Sequence, residues 1–463
     1  MLQAPSTPIR GEIRANLRLA LPLIAAQLAG VGMGAIDTVY AGRLGPQALA
    51  AVAVGVNFNT IFFVLFMGLF MACSPLVAHM AGAGRPAADI GAFVRKARRL
   101  AWIGGALWVL LVNLSAEPAL RRLNLAPDTL RLTVDFVRTL SGSGLGMSLW
   151  FMLRFSAEGL GQVRPVLYAG LVGLVCNAVV DWLLLFGHFG LPRFGAAGCG
   201  IATTLSSLAM AGTLEWQFRR RVGLREVIAA PADAAADPVT ALEGSRDILR
   251  IGLPIGLIVL AEAGLFVLAA MLMAQFGDAT VAAYQIAINF AALVFMIPMG
   301  VALATTVRVG HAAGAGDPAA ARFRGLVGMG LGLGNAASNA AIMALFGGFI
   351  ARCYSDDAGI AAEAAYFMLL AAAFQFFDGL QVTANGALRG VKDTRLPMLI
   401  TLVSYWLVGL PVAWWLAFRG GMGPGGLWWG LTAGLGVASV GLSLRYWQQT
   451  GRAVAANRSE LMA

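Results

Sequence analysis

The chain has 463 residues, of which 59% are hydrophobic and only 12% charged. Soluble globular proteins carry about 25% charged residues, so this chain has half the charge needed to coat a water-facing surface. Its 58 glycines follow no collagen-like period and its prolines number 18, which excludes fibrous and disordered classes and leaves an all-α integral membrane protein.

In chain order, apolar segments long enough to cross a bilayer lie at 17–42, 48–74, 100–116, 130–153, 165–188 and 197–218, then at 250–275, 281–307, 326–350, 360–386, 397–418 and 426–447. Twelve transmembrane helices are therefore expected. The first follows Arg10, Arg14 and Arg18 as a signal peptide would, but it carries Asp37 and opens a series of spans, so it reads as an uncleaved helix.

Twelve spans place both termini on one side. Of the 33 basic residues, 25 lie in the termini and the loops on that side, and 8 lie opposite. The positive-inside rule puts that side in the cytoplasm. The formal net charge of +10 is thus a topology signal with a minor contribution from anionic lipid; no basic helix face or aromatic–basic interleaving points to nucleic acid. The cysteines (Cys73, Cys176, Cys199 and Cys353) are scattered through apolar runs without metal-ligand spacing and read as small packing residues.

The second half of the sequence repeats the first at a fixed offset of half the chain length. Leu21-Pro22 falls on Leu253-Pro254, Asn57-Phe58 on Asn289-Phe290, His79 on His311, and Ala81–Gly84 on Ala313–Gly316. Six spans per period is an even number, so the two copies share one orientation and form a parallel repeat. The Ala-, Asp- and Pro-rich stretch between them reads as a linker, giving an N-lobe at 1–225, a cytoplasmic linker at 226–245 and a C-lobe at 246–463. Two pseudo-symmetric six-helix lobes suit an alternating-access transporter.

Acids inside a bilayer cost roughly 2.5–3.5 kcal/mol each and mark functional sites by default. Four lie well inside spans: Asp37, Asp181, Glu262 and Asp378, with no Lys or Arg at comparable depth in the sequence to neutralise them. The repeat duplicates none of them, so each lobe has its own pair. Asn177 precedes Asp181 by one helical turn, and Gln375, Gln381 and Asn385 form a polar stripe around Asp378. Such a stripe can simply join helices, but with a carboxylate at its centre it points to cation or proton binding.

Several segments resemble the multidrug and toxic compound extrusion (MATE) family, in its bacterial NorM-type branch. They are Asp37–Gly42, Gly195–Thr203, Leu253–Glu262, Gln285–Phe290 leading to Arg308–Gly310, and Gln375–Gln381 followed by Leu388–Gly390. The resemblance runs from about residue 10 to residue 450. It implies an exporter that exchanges cytoplasmic organic cations for inward-moving Na+ or H+, with no resident cofactor. It also implies a C-lobe cation site at Glu262 and Asp378, where Na+ is a candidate ion, and an N-lobe site at Asp37, Asn177 and Asp181. Phe374 stands where some Na+-coupled members have a tyrosine, which tilts the expectation toward H+.

The expected protein is a multi-pass antiporter of the bacterial inner membrane, a monomer among lipids, that handles cationic drugs. The alternative is a flippase for a lipid-linked precursor, which would line its cleft with basic residues. No HExxH, DDxxD-like or Ser/His/Asp constellation argues for an enzyme.

Overall fold

The computed structural model describes residues 9–221, 223–229 and 238–462, and no strand occurs among them. Of the expected linker, residues 230–237 lie outside this range; Arg225–Ala229 forms a short helix before it. The long helical elements are α1 (Ile9–Leu44), α2 (Pro46–Gly82), α3 (Ala87–Arg121), α4 (residues 127–159), α5 (Arg164–Phe186) and α6 (Ala196–Arg220). They are followed by α7 (Pro238–Met273), α8 (Asp278–Gly314), α9 (Pro318–Tyr354), α10 (Ala358–Gly390), α11 (Arg395–Phe418) and α12 (Pro424–Met462).

Eleven of these are long and apolar enough to cross a membrane. The twelfth, α4, is two helices, Pro127–Ser141 and Ser143–Gly159, that meet at Gly142. Its first half is amphipathic: Asp128, Arg131, Asp135 and Arg138 are exposed, while Thr133, Val134, Phe136 and Val137 are buried. Arg138 pairs with Glu117 of α3 at 2.9 Å, so this half presents charge along one side and apolar surface along the other.

The internal repeat is visible in the backbone. Gly45 and Gly277 take φ of 116° and 110° at the turns before α2 and α8. Gly84 and Gly316 take 65° and 73° after the same helices. Both pairs are repeat mates, and only glycine adopts such angles without cost. The helix ends beneath them match as well: Ala83 N donates to the His79 carbonyl at 2.9 Å, and Ala315 N to that of His311 at 3.0 Å. The repeated histidines thus mark a duplicated helix end.

The chain packs as two units. Among the described residues, one holds those within 25–256, and the other holds 9–24 with 257–462. Relative to the expected boundaries, residues 9–24 pack with the second unit and residues 246–256 pack with the first. The crossings, at Ile24–Ala25 and Gly256–Leu257, fall at equivalent positions of the two repeats.

Local chemistry explains the exchange. In the second unit, Ala20 packs with Val301 and Ala304, Asn16 Nδ2 donates to Thr305 Oγ1 at 3.1 Å, and Glu12 pairs with Arg308 and Arg324. In the first, Gly252 and Gly256 lie against the backbone of α2 at Leu69 and Leu65, where a Cβ would collide. Small residues of this kind let membrane helices approach closely.

The first unit is centred on Trp108, fully buried, stacked on Phe66 at 5.4 Å and donating to Asn59 Oδ1 at 3.1 Å. The second is centred on Trp428, Tyr284, Phe367 and Phe374. Residues 403–409 of α11 form a π-helical turn, and just beyond it α12 lies so close that a Cβ on Gly430 would strike the backbone of Ala413. Gly430→Val should therefore destabilise the protein by about 1–3 kcal/mol through overpacking. A thermal melt of the purified protein in detergent checks this; an unchanged melting temperature would contradict the packing.

Candidate functional site

Each unit buries one carboxylate cluster. In the first unit, α1, α5 and α6 bring Asp37, Asn177, Asp181 and Thr203 together. Asn177 Nδ2 donates to Asp37 Oδ1 at 3.0 Å, and Thr203 Oγ1 to Asp37 Oδ2 at 3.4 Å. Asn177 and Asp181 are one turn apart on α5 and both are buried, while Asp37 is partly accessible. The amide one turn before Asp181 thus bonds to Asp37 across the helices.

Asp37 and Asp181 come within 4.8 Å of each other, and no salt bridge reaches either among the described residues. Neither oxygen of Asp181 has a hydrogen-bond partner, and the carbonyl of Asn177 also lacks one. Two facing carboxylates, one of them with both acceptors orphaned, form a site that calls for a proton or a cation.

One member was not legible in the sequence. Cys199, read there as packing, is fully buried on α6 with its Sγ within 4.8 Å of both carboxylates. It shares a helix face with Thr203, whose hydroxyl also donates to the Cys199 carbonyl at 3.0 Å.

In the second unit, Gln375, Asp378, Gln381 and Asn385 lie along one buried face of α10, as their spacing predicts. Gln375 Nε2 donates to the carbonyl of Ala291 on α8 at 2.9 Å, so this residue ties α10 to α8. Glu262 on α7 is close enough to Asp378 for the two charges to act on each other. Phe374 packs edge-on against Phe266 and Trp428, purely as core.

Two further residues join this cluster. Arg389, one helical stretch beyond Asp378, is buried and lies within electrostatic reach of Glu262. This corrects the expectation that no basic residue reaches the depth of the acids. In sequence Arg389 sits beside Lys392 at a helix end, and its long side chain reaches back into the protein. The second is Tyr405 of α11, fully buried, with a hydroxyl that has no partner and that feels both Glu262 and Asp378. It belongs to the π-helical turn, a feature that often re-aims side chains at functional sites.

The two clusters differ in charge. Two acids with no paired cation face each other in the first unit, whereas the second holds an arginine within reach of one of its two acids, Glu262. The sequence also understated the buried acids, because Glu12 and Glu158 are both fully buried. Glu158 is held by Arg154 at 2.7 Å, and Arg154 also donates to Gln27 on α1 at 2.7 Å. His188 stacks on Trp182 at 4.0 Å, outside either cluster.

The MatE family model matches positions 22–183 and 254–415, two stretches related by the same offset as the internal repeat. The chain belongs to the MatE family. Among its relatives are the multidrug resistance protein PmpM of Pseudomonas aeruginosa, 39% identical over 94% of this chain and 91% of the relative, and the multidrug resistance protein NorM of Burkholderia vietnamiensis, 35% identical over 95% of each.

Solved structures share the fold at lower identity. The eukaryotic MATE transporter AtDTX14 superposes with a TM-score of 0.85 at 21% identity, covering 96% of this chain and 98% of that one. A transporter of the MOP superfamily from Pyrococcus furiosus, described as having a binding pocket of reverse polarity and a different function, gives 0.85 at 19% identity, covering 97% and 99%.

Proposed function

We propose that this MatE-family chain is a secondary antiporter of the bacterial inner membrane that exports organic cations and multiple drugs in exchange for H+ or Na+. The observation that carries the reading is a pair of acids within the helices of each unit, with Asp181 fully buried and both its oxygens unpartnered. Multidrug resistance is the role named for relatives that align over nearly the whole chain.

In this reading Asp37 and Asp181 accept either protons or the positive charge of the drug. Glu262 and Asp378 hold the coupling ion, with Arg389 setting their net charge at −1 and the Tyr405 hydroxyl available as a further oxygen donor. A carboxylate that holds a proton cannot also pair with a cationic drug, so occupancy by one expels the other. Coupling needs nothing more than different affinities in the inward- and outward-open states. Each elementary charge moved across the membrane gains about 2.3 kcal/mol per 100 mV, so an exchange that brings net positive charge inward draws on the membrane potential as well as the ion gradient.

The basic-residue bias supports cytoplasmic termini, and the absence of a Phe374 hydroxyl favours H+ over Na+. The flippase alternative needs free basic residues for a diphosphate. The two deepest arginines are instead engaged, Arg154 with Glu158 and Arg389 within the field of Glu262.

Inverted vesicles under an imposed pH gradient or an imposed Na+ gradient test the assignment. Ethidium uptake should follow the pH gradient. Uptake driven by Na+ alone would transfer the coupling to Na+, and no uptake under either gradient would reject the antiport reading.

A further inference from the structure

We propose that the cluster of Asp37, Asp181 and Cys199 is a binding site for a borderline-soft divalent cation, Zn2+ or Cd2+. The proposal goes beyond the antiport reading and does not depend on it. Two carboxylate oxygens and one sulfur, supplied by α1, α5 and α6, all lie within 4.8 Å of one another. It is the one group of three such donors among the described residues. Bonds of about 2.0–2.3 Å to zinc would be reached by a contraction of about an ångström, within the range of side-chain rotation.

Independent of that convergence, Asp181 is fully buried with both oxygens unpartnered, and Asn177 Oδ1 beside it is unpartnered as well. Buried acceptors left this way lack the stabilisation that nearly all such groups obtain, and a metal ion would supply it. The surroundings also suit a metal centre: Asn177 and Thr203 donate to the carboxylate of Asp37 and orient it, as outer-shell partners do.

The sulfur decides which ion. Na+, Mg2+ and Ca2+ take oxygen ligands, whereas a thiolate selects zinc-like ions. On binding, the Cys199 thiol releases its proton to water and Sγ bonds the metal. Two carboxylates and a thiolate then carry −3 against +2, leaving one negative charge. Access is through Asp37, the partly exposed member. A bound ion would occupy the carboxylates that the antiport reading gives to protons and drugs, so the same site would make export sensitive to zinc.

The test uses purified protein in lipid nanodiscs and Co2+ as a spectroscopic probe, with no drug or ion gradient, so its outcome is separate from that of the transport assay. One Co2+ should bind per chain with a thiolate-to-cobalt charge-transfer band in the near ultraviolet, and Zn2+ should displace it. Cys199→Ser should abolish the band and weaken Zn2+ binding at least about tenfold. Cys353→Ser, which removes an exposed thiol, should leave the band in place. A band that survives Cys199→Ser, or no band at saturating Co2+, overturns the proposal. If Cys199→Ser does not fold, Asp181→Asn decides: it retains the thiol, and unchanged Zn2+ affinity in that variant overturns the proposal equally.

Discussion

Asp378→Asn should reduce ion-coupled ethidium export to the level of cells lacking the transporter while leaving the protein as stable as the wild type. The two halves of this expectation have separate causes. Asparagine keeps the shape and much of the hydrogen-bonding capacity of aspartate, so the buried face of α10 stays packed. What it loses is charge. With Asp378 neutral, Glu262 and Arg389 balance each other, and the cluster has no net negative charge with which to attract a coupling cation.

Glu262→Gln should behave differently. It also ends coupled export, but it removes the acid whose charge acts on the buried Arg389. Weakening the electrostatic field at a buried arginine lowers stability, so this variant should also melt earlier. Transport assays on both variants, paired with thermal melts of the purified proteins, separate the two effects. Export at the wild-type rate by Asp378→Asn would remove the second-unit cluster from the coupling mechanism.

Arg154→Ala should be among the most destabilising single substitutions in the chain, by about 3–5 kcal/mol. Arg154 bridges Glu158, at 2.7 Å, and Gln27, at 2.7 Å, and its guanidinium lies 5.3 Å from the ring centre of Phe155. Glu158 is fully buried, and one of its oxygens already lacks a partner. Without the arginine its charge has no compensation in apolar surroundings.

A double variant, Arg154→Met with Glu158→Met, should recover much of the loss, because two apolar side chains of similar volume avoid the desolvation penalty altogether. Melting temperatures of Arg154→Met, Glu158→Met and the double variant form a cycle. If the double variant is as unstable as the sum of the singles, the two side chains are not coupled and the ion pair does not stabilise this part of α4.

The fold was legible in the sequence wherever the signal was local. Apolar runs located all twelve helices, although they missed helix ends that project past the apolar region: α9 runs from Pro318 to Tyr354 around an apolar stretch of 326–350. Such ends are polar or amphipathic, so a hydropathy signal stops short of them. Asp37, Asp181, Glu262 and Asp378 were visible for the converse reason, as charges in the wrong solvent.

The remaining members of the clusters had no local signal. Cys199 sits in an apolar run and is indistinguishable there from a packing residue. Tyr405 lies on an apolar helix, where only the π-helical turn and the neighbouring acids give its hydroxyl meaning. Arg154, Arg389, Glu12 and Glu158 lie near helix ends and resemble the charges of a cytoplasmic rim. Their burial depends on which helix packs over them.

The sequence by itself determined that this is a twelve-helix membrane protein built from a parallel repeat, because hydropathy and a fixed self-matching offset are properties of the chain read in one dimension. Tertiary structure alone decided which polar groups meet: Asp37 with Asn177, Asp181 and Cys199, and Glu12 with Arg308. These partners are far apart along the chain. What brings them together is the close approach of helices at small residues and the cost of leaving a buried polar group unpaired, and both depend on the packed protein.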